Sequence, residues 1–236
     1  MKNLLIVCCL HGNERYGFEV SRSQSFFPFV FANKKAYIEN KRFINTDLNR
    51  SFPGKPNGNH EERLANYLMK KLKSFYYVLD LHSSSNTCPI FGIITKPNKE
   101  KIEFAKQLGL KRLVIMPESF ASGKALIDFV PCGISIEVGP HDRRENLREA
   151  NELIKNIIES KTNNNNDLEI FEVFGTIKKS KENILINNFD SIKKGDILAK
   201  DNSGNQIAES DFTAVLVNEE AYKDVLCLAC KKRDEV

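Results

Sequence analysis

Lys2-Asn3-Leu4-Leu5-Ile6-Val7-Cys8-Cys9-Leu10 is an apolar run that stops at His11-Gly12-Asn13-Glu14, four residues of quite different chemistry. The run is too short to cross a bilayer. Met1-Lys2 ahead of it imitates the start of a signal peptide. No small-residue cleavage site follows, however, and Val7 before Cys8 does not suit a lipoprotein. Residues 2–10 therefore read as a buried first strand whose end delivers a histidine and a glutamate. Comparable runs recur at residues 76–81, 89–95, 113–116 and 133–138, rich in Ile, Val and Leu as strands covered on both faces require. Helical patterns lie between them. Residues 61–72 space Leu64, Leu68 and Leu72 along one face. Residues 142–160 do the same with Leu147, Ala150, Ile154 and Ile157, and Asp142 with Glu145 offers a capping box. The alternation predicts an α/β domain with a largely buried sheet.

The pattern changes after Lys161-Thr162-Asn163-Asn164-Asn165-Asn166-Asp167, which reads as a linker or exposed loop. Beyond it, strand-like pieces at residues 169–177, 184–186, 197–200, 212–217 and 224–229 follow one another. They are joined by turn residues such as Gly195-Asp196 and Asn202-Ser203-Gly204-Asn205. The expected division is an α/β domain over residues 1–165 and a small all-β domain over residues 166–236.

Composition narrows the function classes. The 236 residues are 41% hydrophobic and 28% charged, within the ordinary globular range, and 35 basic against 31 acidic residues leave +4. The basic residues are dispersed, without the concentrated face or aromatic platforms that nucleic-acid binding wants, and no stretch suits a membrane span. The Phe-rich stretch at residues 26–31 reads as core. Six cysteines in a chain this long do not form a disulfide scaffold. Cys227-Leu228-Ala229-Cys230 lacks the second pair a zinc site would need and reads as strand. The expectation is a cytoplasmic protein.

Only four histidines occur, and two sit at predicted strand ends beside acidic residues, in His11-Gly12-Asn13-Glu14 and Asp80-Leu81-His82. Functional groups gather beyond the carboxyl ends of strands in open α/β sheets. Two histidines and a glutamate are a common ligand set for a catalytic zinc that keeps a position open for water. His11 and Glu14 converge if the segment turns into a helix, and Asp80 is a candidate partner for the His82 ring. A lone His-x-x-Glu is more often the mark of a capped turn or a surface helix; a second strand-end histidine in the same domain adds weight to the metal reading. His60 and His141 read as residues near helix starts. Arg42-Phe43-Ile44-Asn45-Thr46-Asp47-Leu48-Asn49-Arg50 offers an amide and a guanidinium that could grip a carboxylate. Glu137 interrupts the apolar run 133–138 before Gly139-Pro140, so it has either an ion-pair partner or a catalytic task.

The motifs His11-Gly12-Asn13-Glu14, Asp47-Leu48-Asn49-Arg50, Asp80-Leu81-His82 and Glu137-Val138-Gly139-Pro140, in this order, resemble the aspartoacylase and succinylglutamate desuccinylase family, a branch of the zinc carboxypeptidase-like hydrolases. Asn218-Glu219-Glu220-Ala221-Tyr222 resembles the Asn-Glu-x-Ala-Tyr segment of aspartoacylases and favours that branch. The resemblance implies a zinc carboxypeptidase-like mixed sheet flanked by helices. It further implies one Zn2+ held by His11, Glu14 and His82, with Glu137 as general base and Arg42 polarising the scissile carbonyl. Asn49, Arg50 and Tyr222 would hold substrate carboxylate. Lys124 falls near the place of an aspartoacylase arginine, and Phe120 where the family can offer a tyrosine. The implied reaction is deacylation of an N-acyl amino acid, N-acetyl-L-aspartate first and N-succinyl-glutamate or another acyl amino acid as the alternative. A homodimer would be in keeping with the family. Ile192-Lys193-Lys194-Gly195-Asp196-Ile197-Leu198-Ala199 also resembles the signature of lipoyl-type carrier domains, but the tip that would carry their modified lysine has none.

Overall fold

The computed structural model describes residues 3–23, 26–141, 145–158 and 167–234. The first part holds, in chain order, β1 (Leu4–Cys8), α1 (Tyr16–Ser23), β2 (Phe29–Phe31), α2 (Lys34–Ile38), α3 (His60–Leu72), β3 (Tyr77–Ser84), β4 (Phe91–Ile94), α4 (Lys99–Leu108), β5 (Arg112–Ile115), β6 (Cys132–Pro140) and α5 (Glu145–Ile158). The second part holds β7 (Glu169–Lys178), β8 (Asn183–Ile184), β9 (Ser191–Ile192), β10 (Ile197–Asp201), β11 (Gly204–Ile207), β12 (Phe212–Val215) and β13 (Val225–Arg233). The Asp142–Glu145 capping box and most of the polar stretch 161–167 lie outside the described residues.

Alternation along β1 explains why the sheet is covered on both sides. Leu4 and Ile6 join Leu79, Leu81, Ile134 and Ile136 under α1, α4 and α5, whereas Leu5 and Val7 join Val78 and the Leu68–Leu72 side of α3. β1, β3 and β6 run parallel and adjacent, and β4 enters antiparallel to β6, so the sheet is mixed as expected. Among the described residues its order is β2-β1-β3-β6-β4-β5-β7-β13-β12-β9. β7 pairs in parallel with β5, so the C-terminal strands extend the α/β sheet. Only β11-β10-β8 stand apart as a small antiparallel sheet. The main sheet thus continues from the α/β part into the C-terminal strands, which pair antiparallel with one another from β7 onward.

One local outcome differs in part from expectation, and another agrees with it. The Phe-rich stretch is core only in part: Phe27 and Val30 pack against the two main apolar clusters, but β2 is an edge strand, where side chains lack a second neighbouring strand, and Phe26 is 71% and Phe29 43% exposed. Cys227 and Cys230 are β13 strand residues as expected, and they pack into two different apolar clusters. No helix among the described residues is long and apolar enough to cross a membrane.

Candidate active site

Parallel pairing brings the carboxyl ends of β1, β3 and β6 together. Val7 is register partner of Asp80, and His82 of Glu137. The chain leaves β1 through Cys9 at positive φ, and a turn closed by the Glu14 N–H on the His11 carbonyl (3.2 Å) sets both side chains on one side. The two converge without the helix that the sequence suggested as one way to bring them together, because α1 starts only at Tyr16. Gly12 is required in the turn, because a Cβ there would collide with the backbone of Ala36 and Tyr37.

Glu14 lies between the two imidazoles. Its Oε1 is 2.7 Å from His11 Nδ1 and its Oε2 is 2.9 Å from His82 Nδ1. All three residues are buried, and one ligand atom from each lies within 4.8 Å of the others. The far nitrogens are also engaged: His11 Nε2 is 2.9 Å from Asp47 Oδ1, and His82 Nε2 is 2.7 Å from Asp80 Oδ2. Imidazoles oriented from behind by carboxylates, with the nearer nitrogens facing a third carboxylate, are a donor set suited to a divalent zinc-like cation. The charge distribution agrees. Burial alone would raise Glu14, but His11 and His82 hold it well below the usual carboxylate range. Burial alone would lower His82, but Asp80 and Glu14 keep it well above the ordinary imidazole value. Protons balance this carboxylate cluster, and a cation would displace them.

The loop at residues 42–50 forms the next wall. Arg42 grips Asp47 Oδ2 through Nε and Nη2 (3.2 and 3.0 Å) and reaches Glu14 Oε1 with Nη1 at 3.4 Å. Asp47 caps the 3-10 turn Leu48–Arg50 by accepting from the Asn49 N–H at 2.8 Å. Asn49 Oδ1 accepts from the Leu126 N–H at 2.8 Å, which leaves its amide nitrogen facing His82 at 3.5 Å. Arg50 donates to the Tyr222 hydroxyl at 2.7 Å and forms no ion pair among the described residues. Tyr222 comes from the 3-10 turn Glu220–Tyr222 of the C-terminal part and packs edge-on against Phe120, ring centroids 5.6 Å apart. Glu137 completes the cavity, which encloses about 730 Å³ including its mouth. Enclosure pushes its carboxyl up to about 8, with Glu14 and Glu219 adding to the rise against the pull of His82.

Of the residues singled out from sequence, His11, Glu14, Arg42, Asn49, Arg50, His82, Glu137 and Tyr222 line this one cavity. Lys124 does not. Its side chain is exposed outside the lining, and its backbone carbonyl accepts from the Phe52 N–H at 3.3 Å. Sequence reasoning gave no role to Asp47 or Glu219. Glu219 is buried in the lining and accepts from the Ser85 N–H and Oγ at 2.9 and 2.6 Å. Both stand inside motifs already quoted, and that position was their only signal. His141, expected near a helix start, sits behind the site with Nδ1 2.7 Å from Ser83 Oγ.

The catalytic-domain profile of the succinylglutamate desuccinylase/aspartoacylase family matches residues 22–160. The chain belongs to that family. The match begins beyond His11 and Glu14, so their pairing with His82 rests on the geometry above. A probable aspartoacylase of Acaryochloris marina is 29% identical over 164 residues, 59% of this chain and 56% of that protein. The chain thus spans about half the length of the curated relatives it matches. Murine aminoacylase 3 superposes with a TM-score of 0.83 at 20% identity, covering 98% of this chain and 95% of that one. A succinylglutamate desuccinylase/aspartoacylase from Rhodobacter sphaeroides gives 0.79 at 13% identity, covering 99% and 86%. At these identities the solved structures speak for the fold, and they match it across the C-terminal strands as well as the α/β part.

Proposed function

We propose that this family member hydrolyses the amide of an N-acyl amino acid with one zinc ion held by His11, Glu14 and His82. The observation that carries the reading is the convergence of those three donors with Glu137 in a cavity that also holds Arg50, which forms no ion pair among the described residues. Zinc, when bound, lowers the pKa of water towards about 7 and polarises a carbonyl. Glu137 takes a proton from the attacking water and returns it to the leaving nitrogen. Arg42, clamped by Asp47 through two of its nitrogens, donates Nη1 to the oxyanion; losing one such donor typically costs ~2.7–4 kcal/mol of barrier. Arg50 grips the α-carboxylate of the amino acid, with Tyr222 donating its hydroxyl to the same group.

N-acetyl-L-aspartate, giving acetate and aspartate, is the substrate the resemblance favours, with N-succinyl-L-glutamate as the alternative. The exposure of Lys124 outside the cavity lining counts against a second carboxylate. The test is zinc content by mass spectrometry together with amine release from a panel of N-acyl amino acids. The expected result is one zinc per chain, turnover that a chelator abolishes, and at least a ~100-fold loss of zinc affinity in His82→Ala. Absence of both zinc and turnover would overturn the reading. Tyr222→Phe should raise KM about 3–10-fold and leave kcat within twofold, the size of one lost hydrogen bond in substrate binding.

A further inference from the structure

The cavity has two chemically distinct linings. One, described above, is polar and charged. The other is supplied by Ile93, Met116, Ala121, Ala125 and Ile127, with Thr95 as its main polar member. Hydrogen bonds tie these segments into one wall: the Met116 N–H donates to the Ile94 carbonyl at 2.9 Å, and Thr95 Oγ1 to Asp128 Oδ1 at 2.7 Å. The wall adjoins the carboxylate grip. The Leu126 N–H is bound to Asn49 beside Arg50, and the Phe120 ring lies against Tyr222.

Among the described residues no cation serves this wall. Lys124 is exposed outside the lining, and Lys96 turns outward to Glu118 at 2.8 Å. Lys101, although buried, is also outside the lining and gives its Nζ to the Thr95 carbonyl at 2.7 Å. Among the lining residues Arg42 is already occupied by Asp47 and Glu14, so Arg50 is the one guanidinium available, enough for one carboxylate. A side chain branches from the same carbon as the carboxylate, so it must enter what adjoins the grip. A second carboxylate there would be desolvated without a partner, a cost of several kcal/mol per ion.

Resting on the deacylase reading, we infer that the amino acid released by this site carries a neutral, apolar side chain of the leucine or methionine class, seated on Ile93, Met116 and Ile127. The test compares kcat/KM of the zinc-loaded protein for N-acetyl-L-leucine, N-acetyl-L-methionine and N-acetyl-L-aspartate. The apolar substrates should lead aspartate by about 100-fold or more. Met116→Arg, which sets a cation in the wall, should move the leucine-to-aspartate ratio at least tenfold towards aspartate. Equal or faster turnover of acetyl-aspartate by the wild type overturns the inference and leaves the deacylase reading standing. A rate that climbs from N-acetyl to N-octanoyl without side-chain preference overturns it too, because the wall would then seat the acyl group. If no acyl amino acid is hydrolysed the deacylase reading fails, and calorimetry with free L-leucine and L-aspartate decides the pocket separately. Tighter leucine binding sustains the apolar pocket; equal, weaker or undetectable leucine binding overturns it.

Discussion

Glu137→Ala should lose about 10²–10⁴-fold in kcat, the usual contribution of a positioned general base, while retaining zinc. The two halves belong together. Glu137 is outside the His11–Glu14–His82 donor set, so its removal should not release metal, whereas collapse of the whole site would lose both. Zinc by mass spectrometry on the purified variant and single-turnover rates make the separation. A variant that retains both zinc and wild-type turnover would remove Glu137 from the mechanism. The pH dependence follows from the raised carboxyl. A base works deprotonated, so activity should rise with pH through the Glu137 pKa; that value is about 8 without a cation, and a bound cation would lower it. For stability the sign is opposite. The folded carboxyl holds its proton while the unfolded one ionises near its ordinary value of 4.5, so between those values the unfolded state binds fewer protons and stability falls as pH rises. In chelator at pH 7.5, Glu137→Gln should therefore melt higher than wild type, by about 3 °C or more.

The strands that carry this chemistry were readable because strands buried on both faces need continuous apolar runs. Residues 2–10 and 133–138 have little polar content to obscure them, and β1 and β6 fall within or around those runs. Helices were less evenly legible. α3 showed its Leu64–Leu68–Leu72 stripe, but α4 passed unmarked although Asn98 caps its start and Gly109, at positive φ, its end. Its apolar positions, Ile102, Phe104, Ala105 and Leu108, are interleaved with lysines, one of which, Lys101, is itself buried. Edge position was not readable at all. Nothing in residues 26–31 says that β2 has no outer neighbour, since this depends on what pairs elsewhere.

The site shows the same limit. Strand-end histidines pointed to the donors, since parallel strands must bring their carboxyl ends together. The spacing of Asp80 and His82 pointed to a shared face, and the 2.7 Å contact fulfils it. Lys124 was placed by alignment on neighbouring motifs, and alignment carries no information on which way a side chain leaves the loop between two 3-10 turns. Asp47 was quoted but given no role, because its contacts to His11 and Arg42 join segments 36 and 5 residues away.

The largest effect away from the reacting groups is expected at Glu61, in the first turn of α3 and fully buried. Its carboxylate accepts from the N–H groups of Ile44, Asn45 and Thr46 at 2.8, 3.0 and 3.2 Å, and from Asn33 Nδ2 at 3.1 Å. These bonds anchor the segment that carries Arg42, Asp47, Asn49 and Arg50, so one side chain outside the cavity lining fixes a whole wall of the site. Glu61→Ala would strand three backbone donors and an amide. Each unsatisfied buried donor costs about 1–3 kcal/mol and water will recover some of them, so about 3–5 kcal/mol of stability should be lost, with KM raised as the loop loosens. Burial alone would raise the Glu61 pKa, but the four donors outweigh it and lower it. Its stabilisation is therefore present above the unfolded value of 4.5 and fades as pH falls through the lower folded value. Glu61→Gln should recover part of the loss at pH 7, because one oxygen still accepts, and should lack this component of acid sensitivity. Urea unfolding of the three proteins at pH 7 and pH 4 measures both effects. An alanine variant within 1 kcal/mol of wild type at pH 7 would show that the loop is held by other contacts.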